Sequence, residues 1–188
     1  MTPRGSYFLT GGAVLCGWEL GHRTTDDVDL FTTSDDAMAL GDGSVRAVAD
    51  ETGCTLHAMV TAPDFRRYEL RRGVEALIVD LVRDRAPQLR EKIMRDGVTM
   101  DTVEEIFVNK ICALVGRSEV RDLVDLRALE ARGMRVEDYL DLAQKKDGGA
   151  TAATIAWLLS TLPVEEGLAG YRRDLESRML AAAKRDAE

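Results

Sequence analysis

The sequence has few of the residues on which several common protein classes depend. Among 188 residues there are 3 cysteines, 2 histidines and 4 prolines, and only 5% are aromatic. The cysteines Cys16, Cys54 and Cys112 are odd in number and widely spaced, which fits neither a disulfide framework nor a zinc site. We expect them to be reduced thiols among apolar neighbours. His22 and His57 share no metal-ligand spacing, so neither is predicted to bind a metal.

Long apolar runs and excess positive charge are also missing. No run approaches the length of a membrane span, and the apolar stretch over 7–18 is interrupted by Gly11-Gly12 and lacks a signal-peptide cleavage site. We therefore expect a cytoplasmic protein without membrane contact. The 33 acidic residues outnumber the 25 basic ones, for a formal net charge of -8. This balance excludes a protein that coats nucleic acid by general basic charge, although not one with a local basic groove.

The patterns that are present divide the chain near Pro87, with strand signals before it and helical signals after it. Strands are predicted over 28–32, 55–61, 66–71 and 75–82, with a hairpin turn at Arg72-Gly73. A helix is predicted over 13–20, and another over 44–52 after Gly41-Asp42-Gly43. Later helices are predicted over 106–115, 118–131, 136–144, 152–160 and 171–183. We expect an α/β core over 1–95 and a helical region over 96–188 packed on it.

A carboxylate pair in the first half is the most informative feature. Residues two apart on a strand face the same side, so Asp27 and Asp29 would lie together while Val28 and Leu30 point into the core. Two adjacent carboxylates repel unless a cation bridges them, and Mg²⁺ suits such oxygen ligands. The Gly11-Gly12 turn would let backbone N–H groups approach a phosphate. Together these features suggest a nucleoside triphosphate and a metal, although each alone is more often a tight turn or a solvated edge.

Asp80 is a third acidic residue, and it interrupts an otherwise apolar strand. Burying it without a partner would cost about 2–7 kcal/mol, so it needs a counter-ion. A metal shared with Asp27 and Asp29 would supply one, and would leave Asp80 able to take a proton from an attacking hydroxyl. The alternative is that Asp80 lies at an exposed strand end and pairs with Arg83.

Lys110 is the corresponding unusual charge in the second half, in the middle of an apolar helix. Its ammonium could reach a nucleotide phosphate, or its stem could carry the charge out to solvent. Asp122 and Asp125 follow one helical turn apart, a spacing that by itself is common for solvated ion pairs.

These segments together resemble a known family. The stretches FLTGG over 8–12, HRTTDDVDLF over 22–31, NKICAL over 109–114 and RDLVD over 121–125 are similar to those of the AbiEii/AbiGii-like nucleotidyltransferases. These are toxins of abortive-infection and type IV toxin–antitoxin systems, within the DNA polymerase β-like superfamily. The resemblance implies an α+β fold, in which a minimal polymerase β-like core, a mixed sheet with flanking helices, precedes a helical C-terminal part.

The resemblance also implies roles for individual residues. The metal-binding carboxylates would be Asp27, Asp29 and, by strand order, Asp80, and the family's essential lysine would be Lys110. Nucleotide binding would involve Gly11, Gly12, Arg23, Thr25, Lys110 and Asp122, with Asp125 as an alternative to Asp122. Gly12 stands where the superfamily often has serine, which removes a hydroxyl that could donate to the phosphates.

The implied reaction is Mg²⁺-dependent nucleotidyl transfer, in which an acceptor hydroxyl attacks the α-phosphate of an NTP and pyrophosphate leaves. Two Mg²⁺ ions would take part, one on the carboxylates and one on the triphosphate. The resemblance suggests RNA, such as a tRNA 3′ end, as acceptor, and an antitoxin protein as partner.

The acceptor is less well defined than the chemistry, because RNA binding requires basic side chains. Local basic groups occur at Arg66-Arg67 and Arg71-Arg72, at Lys145-Lys146 and at Arg172-Arg173, and each is more typical of a solvated face than of a groove. Transfer to a small molecule or a protein side chain therefore stays open. A catalytically silent module that binds a nucleotide or a partner is the alternative of a different class.

Overall fold

A computed structural model describes residues 6–185 of the chain. The described residues form two compact units. The first unit contains those up to Arg85 together with Arg90–Thr102, and the second contains Ala86–Leu89 together with those from Val103 onward.

A mixed sheet forms the centre of the first unit. Its strands are β1 (Phe8–Thr10), β2 (Asp27–Thr32), β3 (Thr55–Thr61), β4 (Phe65–Arg72), β5 (Glu75–Arg83), β6 (Ile93–Arg95) and β7 (Val98–Met100). Over the described residues the strand order is β3-β4-β5-β2-β1-β7-β6. The β2–β5 and β1–β7 pairs are parallel, and the other neighbours are antiparallel. The expected mixed sheet and α+β fold class are confirmed.

The β6–β7 hairpin is an element that the sequence pattern did not predict. Each of its strands has three residues, too few to show a period of two. Its turn was visible in principle, because Asp96-Gly97 is a dipeptide that favours tight hairpins, and both residues have positive φ, 52° and 79°.

Two helical segments flank this sheet. Helix α1 (Gly11–Val14) continues into a π-helical stretch, Leu15–Glu19, close to the expected span. Helix α2 (Asp35–Thr52) is continuous, so the prediction of a helix beginning only at Ser44 was wrong. The N-cap is Ser34, whose hydroxyl accepts the Ala37 N–H at 3.2 Å.

The glycines within α2 explain why its sequence looked broken. Gly41 is buried, and a Cβ there would lie 2.6 Å from Leu81 Cδ1 and 2.7 Å from Tyr7 Oη. The helix therefore lies against the sheet at a point where only a hydrogen atom fits. A Cβ at Gly43 would meet no atom outside its own stretch of helix within 4 Å, so this glycine lowers helix propensity and no close contact requires it.

The core of the first unit lies between α2 and one face of the sheet. It joins Met38, Val45 and Ala49 of α2 to buried residues of β4 and β5, namely Tyr68, Leu70, Val79 and Leu81. Because side chains alternate along a strand, the residues between these positions face the other side of the sheet, and they include the charged residues described below.

The second unit is helical. Its helices are α3 (Val103–Arg117), α4 (Val120–Glu130), α5 (Leu140–Lys146), α6 (Ala152–Thr161) and α7 (Glu166–Arg185), with a 3₁₀ turn at Val136–Tyr139 before α5. Helix α7 begins five residues earlier than predicted. Within residues 6–185, no helix is both long enough and apolar enough to span a membrane.

Candidate active site

The two aspartates of β2 lie on the face of the sheet opposite the α2 core. Leu30 follows Asp29 on β2 and packs against that core. Because side chains alternate along a strand, Asp29 and Asp27 face the other side of the sheet. In the strand register, Asp29 lies opposite Thr10 of β1 and opposite Asp80 of β5. The sheet therefore places Asp29 and Asp80 side by side on one face, with Asp27 two residues along.

The glycine turn lies directly beside this pair. β1 ends at Thr10, and Gly11 has a φ of +64°, a left-handed conformation that glycine adopts without strain. A Cβ at Gly11 would lie 2.6 Å from Asp29 Oδ2. Gly11 is thus required twice, once by the turn and once by the carboxylate that approaches it.

The loop that precedes β2 folds over the second glycine. A Cβ at Gly12 would lie 2.8 Å from Arg23 Nη2 and 3.3 Å from Thr25 Oγ1. The Thr25 hydroxyl donates to Asp27, and Arg23 Nη1 donates to the Thr24 carbonyl at 3.0 Å. The predicted nucleotide-binding residues of the first unit therefore surround its carboxylates, and a serine in place of Gly12 would require Arg23 to move.

A buried anchor that we did not predict fixes the start of the turn. Asp101 is buried; its Oδ2 accepts the Thr10 hydroxyl at 2.6 Å, and its Oδ1 pairs with Lys92 at 2.5 Å. Its backbone N–H also donates to the Leu9 carbonyl at 2.9 Å. No sequence pattern signalled this contact, because Asp101 follows the short β7 strand that was itself missed.

Asp80 is buried, as expected, but its partner is Arg67 of β4. Arg67 Nε donates to Asp80 Oδ1 at 2.8 Å and Nη2 donates to Oδ2 at 2.6 Å, a bidentate pair. Arg83, the alternative partner, instead binds Asp35 at 2.9 Å. The alternative prediction, an exposed Asp80 paired with Arg83, was therefore wrong. The sequence pattern indicates Arg67 only as part of a local basic group. The signal that could have identified it is its register position opposite Asp80.

The charges around Arg67 shift its pKa upward. The hydrogen bonds that Arg67 donates to Asp80 raise this pKa most, burial of the guanidinium lowers it, and the negative charges of Asp80, Asp29 and Asp27 raise it further. The guanidinium thus lies within the field of all three predicted metal-binding carboxylates.

The donor chemistry of this face fits a hard divalent cation. Asp27 and Asp29 offer carboxylate oxygens from one face of one strand, which is the ligand type that Mg²⁺ prefers. Within the described part of the chain, no group of three or more His, Cys, Asp or Glu side chains is arranged to hold a metal ion. Asp80 is bound to Arg67 instead, so its assignment as a third metal ligand stays a prediction.

The second unit holds its own buried charge cluster. Lys110 Nζ lies 2.8 Å from Asp122 Oδ1 and 2.8 Å from Asp125 Oδ2, and Arg117 binds Asp122 through Nε and Nη2 at 2.8 Å each. Asp122 and Asp125 are fully buried. The interpretations of Lys110 as a solvent-reaching lysine and of the two aspartates as solvated ion pairs were therefore wrong.

Competing effects set the protonation of Asp122. Burial alone raises the pKa of its carboxyl, but the hydrogen bonds and charges of Arg117 and Lys110 outweigh burial and hold that pKa below its ordinary value of 3.8. Asp122 is therefore a carboxylate at neutral pH. The roles of Lys110 and Asp122 in nucleotide binding stay predictions.

The basic groups noted in the sequence are largely paired within their own units. On β4, Arg66 pairs with Asp42, Arg71 with Glu69 and Arg72 with Glu75. The side chain of Lys146 is only 3% exposed and pairs with Glu105, whose carboxylate also accepts the Leu89 N–H at 2.9 Å. The expectation of a solvated face was wrong for Lys146, and its contact with Glu105 fixes the segment Ala86–Leu89 to the second unit.

Comparisons with known proteins agree with this architecture. The family model described as nucleotidyl transferase AbiEii toxin, type IV TA system, matches residues 3–185. Two similar solved structures come from Helicobacter pylori: a candidate nucleotidyltransferase, and JHP933. Each is 19% identical with a TM-score of 0.60 over 97% of this chain, covering 88% and 85% of the respective chains.

A third similar structure is the nucleotidyltransferase toxin MenT4 from Mycobacterium tuberculosis, which is 13% identical with a TM-score of 0.50. The match covers 97% of this chain and 86% of MenT4. At these identities the likeness concerns the fold. A sequence search among curated proteins found no match.

Proposed function

The chain belongs to the AbiEii family of nucleotidyltransferase toxins, and from this premise we propose that it moves a nucleoside monophosphate from an NTP to an acceptor hydroxyl. The observation that supports the reaction best is the placement of Asp27, Asp29 and the Gly11 turn on one face of the sheet. Nucleotidyl transfer depends mainly on positioning and charge neutralisation, and this face offers both.

The chain's own residues would orient the nucleotide. Gly11 lets the Asp29 carboxylate lie directly against the turn, and the backbone N–H groups of the Gly11-Gly12 turn would bind a phosphate beside it. The Thr25 hydroxyl holds the Asp27 carboxylate in place, and Arg23, which contacts Gly12, would neutralise phosphate charge.

Asp27 and Asp29 would hold Mg²⁺, with Asp80 as the proposed third ligand and a second ion on the triphosphate. When bound, Mg²⁺ supplies charge neutralisation and lowers the pKa of the attacking hydroxyl. In the second unit, we propose that Lys110 binds the triphosphate and that Asp122, which accepts a hydrogen bond from it at 2.8 Å, positions its ammonium.

Membership of a type IV toxin–antitoxin family implies that an antitoxin protein is a partner of this chain. We propose RNA, such as a tRNA 3′ end, as the acceptor, which would make the protein an inhibitor of growth in the cytoplasm and a component of abortive infection. The pairing of the β4 arginines with nearby carboxylates favours a second candidate, transfer to a small molecule or a protein side chain, because fewer cations are free for a polyanion.

Nucleotide binding and the identity of the acceptor can be tested in two consecutive experiments. Each NTP with Mg²⁺ is added to the purified protein, and we expect at least one to raise the melting temperature only when Mg²⁺ is present. RNA, protein and small-molecule candidates are then incubated with that NTP and examined by mass spectrometry for an added nucleoside monophosphate. An RNA product should form less readily as salt increases. If neither melting nor any product mass changes, a non-catalytic module becomes the better explanation.

A further inference from the structure

One row of charged residues crosses the face of the sheet that lies opposite the α2 core. Asp29 on β2, Asp80 on β5 and Arg67 on β4 are direct neighbours in the strand registers. The next row along contains Ile78 and Glu69, and Glu69 binds Arg71 at 2.8 Å. Arg67 is therefore the cation in the row of Asp29 and Asp80, and Arg71 is a similar cation four residues further along β4 with Glu69 as its own partner.

The two members of the Arg67–Asp80 pair differ in access to solvent. The Asp80 side chain is 5% exposed and the Arg67 side chain is 37% exposed. A carboxylate this buried is strongly destabilising without a cation. The arginine, by contrast, can rotate its long side chain toward solvent without moving the strand. The carboxylate is thus the fixed member of the pair, and the guanidinium is the one that can exchange.

The guanidinium also lies close to the carboxylates that would bind a divalent metal ion. The charges of Asp27 and Asp29, as well as that of Asp80, act on Arg67. Both oxygens of Asp80 are bound to it. A divalent cation held by the same carboxylates would repel a guanidinium a few ångströms away.

We propose that Arg67 is an exchangeable counter-ion of Asp80, so that Arg67 and a divalent cation compete for this carboxylate. The inference rests on the proposed function, because it assumes that Asp27 and Asp29 bind the cation. It assigns Arg67 the role of a positioning residue, which sets how readily Asp80 becomes a metal ligand.

Direct metal binding separates this proposal from a merely structural role. Mn²⁺ is titrated into the full chain and free Mn²⁺ is followed by electron paramagnetic resonance, so no substrate or activity is needed. We expect Arg67→Gln to bind Mn²⁺ about tenfold more tightly than the wild type, equivalent to about 1.4 kcal/mol. Mn²⁺ should also raise the melting temperature of this variant more than that of the wild type, because the buried Asp80 has lost its other cation.

Two further variants guard against a folding defect and a general charge effect. Arg67→Lys keeps the charge but loses the bidentate fork, and we expect it to bind Mn²⁺ about threefold more tightly than the wild type. Arg71→Gln removes a cation from the same strand and face but away from Asp80, and its affinity for Mn²⁺ should stay within about twofold of the wild type.

A double variant tests whether the effect depends on Asp80. In an Asp80→Asn background, Arg67→Gln should no longer tighten Mn²⁺ binding, since the carboxylate for which Arg67 and the metal compete is gone.

The outcomes distinguish this inference from the function on which it rests. If the wild type binds Mn²⁺ and neither Arg67 variant binds it more tightly, the competition is overturned while the metal site stands. Equal tightening by Arg71→Gln also overturns it, because the effect would then be one of net charge. If neither the wild type nor the variants bind Mn²⁺, the proposed metal-dependent function fails as well.

Discussion

At the scale of single residues, the candidate site is determined by what approaches Gly11. Its φ of +64° and the distance of 2.6 Å from a Cβ to Asp29 Oδ2 are independent reasons why no side chain fits. The first is a backbone constraint and the second a contact with a proposed metal ligand. A substitution at another glycine that has only one of these two constraints can separate their effects.

Gly11→Ala should therefore cost both stability and activity. We expect about 1–2 kcal/mol of strain and a loss of about a hundredfold in transfer rate, because Asp29 is pushed out of position. Gly73 in the β4–β5 turn has a similar φ of +62°, but a Cβ there would meet nothing within 4 Å. Gly73→Ala should show the strain alone. Thermal denaturation and nucleotide incorporation measure the two effects, and equal activity losses in both variants would contradict the role of the Asp29 contact.

The Asp122 carboxylate makes stability depend on pH in the acid range. Its pKa in the folded state lies below the ordinary 3.8, so its ionised form stabilises the fold. That contribution is complete above the ordinary value and is lost as the pH falls through the lowered one. Asp122→Asn should cost about 3–5 kcal/mol at pH 7, with a smaller difference from the wild type below pH of about 3. Urea unfolding from pH 7 to pH 2 checks this, and a difference that is constant with pH would contradict it.

At the scale of elements, α2 shows how one glycine can be a packing requirement and its neighbour a cost. Gly41→Ala should destabilise the protein by about 1–3 kcal/mol, since its Cβ would meet Leu81 and Tyr7 in a packed core. Gly43→Ala, in the same helix, should stabilise it by about 0.5–1 kcal/mol through helix propensity. Both are measured by chemical denaturation, and destabilisation by Gly43→Ala would contradict the observed open environment.

The same helix illustrates what the sequence can and cannot predict. Alternation and length were sufficient to locate β2, β3, β4 and β5 within a residue or two. The Gly41-Asp42-Gly43 segment misled because local propensity favours a break, whereas packing against Leu81 overrides it. β6 and β7 were too short to show a pattern.

For the site residues too, local sequence predicted some features, whereas contacts between distant segments could not be predicted. Asp27, Asp29 and the glycine turn could be placed from strand periodicity and turn chemistry. The need of Asp80 for a counter-ion could also be inferred, but its partner Arg67 depends on the pairing of β4 with β5. The same holds for Lys110, whose need for an anion was evident and whose partners Asp122 and Asp125 lie on the next helix.

At the scale of the whole molecule, the formal charge of -8 conceals a strong local organisation. Buried carboxylates in both units have cationic partners, as Asp80 has Arg67 and Asp122 has Lys110 and Arg117. The arginines of β4 are likewise paired. An acidic total is therefore compatible with a site that accepts a triphosphate, while it restricts the acceptors that could be bound by charge alone.

The central claim is that Asp27 and Asp29 carry nucleotidyl transfer, and incorporation of labelled nucleotide tests it most directly. We predict that Asp27→Asn and Asp29→Asn stay folded, with melting temperatures near that of the wild type. We also predict that they lose transfer by at least about a thousandfold, or about 4 kcal/mol of barrier. Asp50→Asn, which removes an exposed carboxylate at the end of α2, should keep full activity. Undiminished incorporation by either folded site variant would contradict the assignment.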